Sequence, residues 1–150
     1  MSSTDFGEII DFAIEEEVKA YTLYEETAGK TDDNSLKSLL TDMADMERGH
    51  EARLKAFKKG KIESIGSVQV EDLKIGDYLV DVEINENSSV QDILLFAIKA
   101  EMKAHELYTQ LERLYAEPEE RALFQKLANE ELQHKNDLEK VYDDYVYKEN

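Results

Sequence analysis

The chain has 150 residues, 35 of them acidic and 18 basic, for a formal charge of −17, and it contains no cysteine. That length suits one domain, residues 1–150, with a core that needs no staples, and the missing cysteine excludes disulfides, thiolate metal sites and a thiol nucleophile. The acidic excess argues against nucleic acid as a partner, while 41% apolar residues are too many for a disordered acidic tail.

Met1 to Phe6 carries no Lys or Arg, so no signal peptide is expected. No apolar run approaches the roughly 18 residues of a membrane span, and the expected compartment is the cytoplasm. A first helix is predicted over 5–29. Its apolar or special positions 10, 14, 17, 21, 24 and 28 keep the spacing of one helix face, with Asp5 as cap and Gly29 as stop. A second helix, 34–59, shows Leu36, Leu40, Met43, Glu47, His50, Leu54 and Phe57 on one face and ends at Lys59-Gly60. Residues 60–88 lose the helical period and are expected to be a crossover connection. Ser88 and Gln91 form a capping box for a third helix, 89–116, with the stripe Leu94, Ile98, Glu101, His105, Tyr108 and Leu111. Pro118 with Glu119 and Glu120 opens a fourth, 118–146, whose stripe is Phe124, Leu127, Glu131, His134, Leu138, Val141 and Tyr145. An all-α fold of four helices with one long middle connection describes a ferritin-like bundle.

The chain also repeats itself. FAIEEEVKAYTLY at 12–24 aligns with FAIKAEMKAHELY at 96–108, with eight of thirteen positions identical, at an offset of 84. At the same offset Leu39, Ala44, Glu47, His50 and Leu54 meet Leu123, Ala128, Glu131, His134 and Leu138. Two helix pairs of one design, joined by the crossover, imply a duplicated half rather than a solenoid.

Each half places one Glu in mid-stripe on its first helix and one Glu-x-x-His on its second: Glu17 with Glu47 and His50, and Glu101 with Glu131 and His134. Four carboxylates therefore point at the core. Burying even one unpaired would be costly, and none of the four stripes holds a Lys or Arg to neutralise them. Two divalent cations would balance four glutamates with both imidazoles neutral. Residues three apart share a helix face, so the Glu and His of each motif reach toward the same ion. The pattern matches the ligand set of di-iron and di-manganese carboxylate bundles. Oxygen ligands with one imidazole per ion favour Fe or Mn, with Zn still open.

In these motifs the chain resembles the rubrerythrin branch of the ferritin-like superfamily over nearly its whole length. The resemblance implies a non-haem centre of two Fe ions, with Glu47 and Glu131 bridging, Glu17 and Glu101 terminal, and His50 and His134 each on one iron. It implies an oxidoreductase reducing hydrogen peroxide, or dioxygen, with electrons from a rubredoxin-type site. Two departures stand out. The family's C-terminal Cys₄ module has no counterpart in a chain without Cys, so a separate electron-donor protein is expected. The family's additional Glu, three residues after the third-helix Glu, is Ala104 here, which sets the ligand set closer to the simpler ferritin-like di-iron proteins.

Around the six ligands, several residues admit two readings. Tyr24 and Tyr108, seven after Glu17 and Glu101, either bond the ligand carboxylates or are buried aromatics satisfied elsewhere. His105, whose counterpart in the first half is Tyr21, is either a third imidazole ligand or a hydrogen-bonded core residue. Met43, Met46 and Met102 are expected to fill core gaps, and Glu15, Glu16, Glu25, Glu26, Glu119 and Glu120 to be solvated. No catalytic residue beyond the metal centre is singled out. Besides the oxidoreductase, ferritin-like iron oxidation and storage stays open, as does a metal-bound interaction domain without turnover. A homodimer or larger homo-oligomer is expected, with the crossover and the Tyr-rich C-terminus (Tyr142, Tyr145, Tyr147) as a candidate dimer interface.

Overall fold

A computed structural model describes residues 3–65, 69–71, 73–115 and 117–149. In chain order these form β1 (Ser3–Asp5), α1 (Phe6–Lys30), α2 (Asn34–Ile65), β2 (Gln69–Glu71), a 3-10 turn (Ile75–Tyr78), α3 (Val90–Arg113) and α4 (Pro118–Glu149). They fall into two compact units, Met1–Asp77 and Tyr78–Asn150.

In the first unit α1 packs along α2. Asp5 caps α1, its carboxylate accepting from the Gly7 amide at 2.7 Å. The helix runs past Gly29 and stops at Thr31, an extended residue whose N–H bonds back to the Thr27 carbonyl. Asp33 then caps α2 by accepting from the amides of Ser35 and Leu36. The helix does not end at Gly60 but continues to Ile65. A glycine inside a helix costs only about 1 kcal/mol, and with no proline after it nothing there forbids the next turn. Ile9, Ile10, Ala13 and Tyr24 of α1 and Leu36, Leu40, Met43 and Leu54 of α2 form the core of this pair. Met46 is 41% exposed and fills no core gap, because it lies one position off the buried stripe. β1 pairs antiparallel with β2, Thr4 opposite Val70, so the connection after α2 begins with a small two-stranded element that the helical reading lacked.

In the second unit α3 packs along α4. The cap of α3 is Ser89, not Ser88: Ser89 Oγ accepts from the Asp92 amide at 3.1 Å, while Ser88 Oγ is taken by the Asn85 amide in the preceding turn. α3 ends at Arg113, short of the expected Ala116, which lies outside the described residues. Pro118 opens α4 as its missing N–H allows, and the helix reaches Glu149 rather than 146. Leu94, Ala97, Leu107, Tyr108 and Leu111 of α3 meet Phe124, Leu127, Ala128 and Leu138 of α4 in the core. At the turn between the helices Tyr115 stacks on Phe124, centroids 5.6 Å apart. Glu120, expected in solvent, is buried there, and Glu16 on α1 is half-buried; Glu15, Glu25, Glu26 and Glu119 are exposed. Among the described residues no helix is long and apolar enough to cross a membrane.

Replacing Ser89 by Ala removes a cap and should lower stability by about 1 kcal/mol, read as a lower urea midpoint at unchanged slope. A second prediction concerns Tyr115, whose phenol is pushed well above its usual value by burial and, secondarily, by the charge of Glu120. The folded state thus holds that proton more tightly than the unfolded one. The stabilisation is complete below the unfolded value, about pH 10, and is lost as pH rises above it. Urea denaturation on either side of that pH should show wild type losing stability relative to Tyr115→Phe on the alkaline side. Parallel loss in both proteins would contradict it.

Candidate metal centre

The positions that interrupt the apolar stripes are buried as deeply as the leucines around them. In the first unit Glu17 is 2% exposed, Glu47 1% and His50 1%; in the second, Glu101 is 2%, Glu131 1% and His134 3%. α1 supplies Glu17 between Ile14 and Tyr21, and α2 supplies Glu47 and His50 one turn apart on the face turned to α1. α3 and α4 repeat this with Glu101, Glu131 and His134.

Within each unit the ligand atoms gather. One donor atom from each of Glu17, Glu47 and His50 lies within 4.8 Å of the other two, and the same holds for Glu101, Glu131 and His134. His50 Nδ1 is 3.4 Å from Glu17 Oε1 and 3.5 Å from Glu47 Oε1, and His134 Nδ1 is 3.7 Å from Glu101 Oε1. Two donors that each stand about 2.1 Å from one ion are separated by about 3.0 Å at a right angle and about 3.4 Å at a tetrahedral angle. The observed separations are of that size. Among the described residues the buried polar set contains no Lys or Arg. Two carboxylates and one imidazole per set are donors suited to a divalent ion, and such an ion would balance the buried carboxylates.

The residues next to the ligands differ between units. Tyr24 and Tyr108 are both 1% exposed, two turns beyond Glu17 and Glu101. Tyr21, one turn beyond Glu17, lies beneath the Arg48 guanidinium, 4.6 Å from its ring centroid, and Arg48 also pairs with Glu25 and, at 3.5 Å, with Asp45. Lys55, 2.8 Å from Glu51, holds that half-buried carboxyl below its usual range, with the Tyr21 hydroxyl adding a smaller contribution. Position 105 works otherwise. His105 is half-buried, its Nδ1 stands 2.8 Å from the Ala128 carbonyl, and neither of its nitrogens belongs to the ligand clusters. Burial raises the carboxyl of Glu16, against the pull of Lys19. The sequence pattern missed the Tyr115–Glu120–Phe124 group. A signal was there, because Thr31, Leu36 and Leu40 occupy the matching positions of the first half and Glu for Leu breaks the repeat.

Helix pairs carrying buried Glu and Glu-x-x-His sets define a ferritin-like, four-helix fold with carboxylate–histidine clusters that could hold metal ions. The chain belongs to the rubrerythrin family, whose profile matches residues 6–83 and 92–150. A solved structure of a hypothetical protein from Pyrococcus furiosus shares the fold, with a TM-score of 0.73 at 27% identity over 91% of this chain and 87% of that one. No functionally curated protein matches the chain.

Metal analysis after loading with divalent iron should give two ions per chain. At a free concentration a hundredfold above Kd, each ion adds about 2.7 kcal/mol of stability, seen as a higher melting temperature that a chelator reverses. His50→Ala and His134→Ala should each leave about one ion. Glu47→Ala combined with Glu131→Ala should leave none, and two ions retained in that double variant would sink the ligand assignment.

Proposed function

We propose that the protein is a non-haem di-iron oxidoreductase that reduces hydrogen peroxide or dioxygen. The observation that carries this reading is the burial of four carboxylates and two imidazoles in two matching sets within a rubrerythrin-family chain. Bound iron would supply one-electron redox chemistry and open positions for an oxygen ligand.

The chain's own residues do the rest. Glu17, Glu47 and His50 hold one ion; Glu101, Glu131 and His134 hold the other. Oxygen donors of this kind suit Fe or Mn, and iron is the metal proposed. The leucines, isoleucines and tyrosines packed around each set keep bulk water away, which confines reactive oxygen products and strengthens every charge interaction inside. Tyr24 and Tyr108, buried two turns from Glu17 and Glu101, orient ligand carboxylates through their hydroxyls. The acidic exterior raises the local concentration of ferrous ion.

These 150 residues contain no cysteine, and the proposal includes a separate electron-donor protein. The proposal includes a cytoplasmic setting and a homodimer or larger homo-oligomer. Nucleic acid and membrane are not among its partners.

Anaerobic loading with two ferrous ions per chain followed by hydrogen peroxide should oxidise both irons at once, and a chemical reductant should then sustain repeated peroxide consumption. Dioxygen in place of peroxide decides which oxidant is preferred. Continued uptake of many irons per chain under air would instead indicate storage, and neither oxidation nor uptake would leave an interaction domain.

A further inference from the structure

His105 is the histidine outside the two Glu-x-x-His sets, and its ring is anchored. Nδ1 lies 2.8 Å from the carbonyl oxygen of Ala128 on α4. A carbonyl only accepts, so this nitrogen carries a proton, and the lone pair of the neutral ring sits on Nε2. The position of the ring follows from the two helices that hold it. His105 comes one turn after Glu101 on α3, and Ala128 one turn before Glu131 on α4. The helices are joined by a short turn and run antiparallel. Side chains lean toward the N-terminus of their own helix, and helix carbonyls point toward its C-terminus. Both directions bring the ring toward the level of Glu101 and Glu131, which are also the titratable groups one turn away on α3 and α4.

Neither ring nitrogen belongs to the clusters of ligand atoms, and the residue is half-buried, so it has a protein side and a solvent side. The matching position in the first unit, Tyr21, is engaged by Arg48 and Glu51 and offers no base. An anchored, half-buried imidazole one turn from a ligand glutamate, with its exchangeable nitrogen known, is what proton delivery requires.

We propose that His105 is the proton donor for oxygen–oxygen cleavage, an inference that rests on the function proposed above. Reduction of hydrogen peroxide consumes two electrons and two protons and yields two waters. The electrons come from ferrous iron, which the external donor later restores. As the oxygen–oxygen bond breaks, the imidazolium Nε2–H gives its proton to the departing hydroxide, which leaves as water. The ring takes its next proton from solvent for the second transfer, and Nδ1–H stays on the Ala128 carbonyl throughout.

Two measurements test this. Nitrogen NMR of the ring in zinc-loaded protein should show the Nδ1–H tautomer with Nε2 free of metal; a metal-bound Nε2, or an Nε2–H neutral tautomer, overturns the assignment. In iron-loaded protein, His105→Gln should keep two irons per chain and the wild-type far-ultraviolet circular dichroism. It should lose about 10²- to 10⁴-fold in peroxide turnover and recover part of that on addition of imidazole, a response a merely structural role would not produce. Turnover equal to wild type in the variant overturns the proton-donor role alone. A wild type that holds two irons yet reduces neither peroxide nor dioxygen overturns the function and this inference together.

Discussion

Four glutamates at 2% exposure or less govern the rest of this structure. An ionised carboxylate taken from water into a protein interior costs several kcal/mol even after relaxation. Four such costs rival the whole net stability of a domain, about 5–15 kcal/mol. The interior cannot meet this with basic side chains, since no Lys or Arg among the described residues is buried. The two imidazoles set among the carboxylates, His50 3.4 Å from Glu17 and His134 3.7 Å from Glu101, make a divalent metal a fitting counter-charge. The leucine-rich stripes on either side then serve two ends, stability and the exclusion of water from the ligands.

That constraint explains why so much was legible in the sequence. A charged residue in mid-stripe is a contradiction unless it has a purpose, and the contradiction recurs at an offset of 84. Glu17 and Glu101 fix the face of α1 and α3, and the two Glu-x-x-His motifs fix α2 and α4. Helix ends are less legible, because the energies that set them are small. Gly60 was expected to stop α2 and does not, since the preference involved is about 1 kcal/mol and the following residues sustain the helix. Ser88 and Ser89 compete for one cap, and the outcome turns on which hydroxyl the Asn85 amide takes. The pairing of β1 with β2 joins residues more than sixty positions apart through backbone groups, which no hydrophobic period announces.

The two halves agree at the ligands and diverge one turn away. Tyr21 becomes His105, Leu36 becomes Glu120 and Thr31 becomes Tyr115. In the first unit the position beyond the ligand glutamate ties α1 to α2 through a guanidinium and a carboxylate at the surface. In the second it ties α3 to α4 through a backbone carbonyl. Both changes keep the helices together, yet only the second leaves an imidazole one turn from a ligand glutamate.

A duplicated metal protein is free to differentiate in this way because its constraints are uneven. A ligand glutamate cannot change without leaving its ion short of charge, so each copy keeps the same three donors, two Glu and one His. A residue that only has to hold two helices together can do so through cation–π contact, a carboxylate or a carbonyl, at similar energies of about 1 kcal/mol. Chemistry that needs one proton source needs it on one side only. The asymmetry therefore arises where substitution is cheap in stability and consequential in reactivity, at the ring of His105 rather than at the metal ligands themselves.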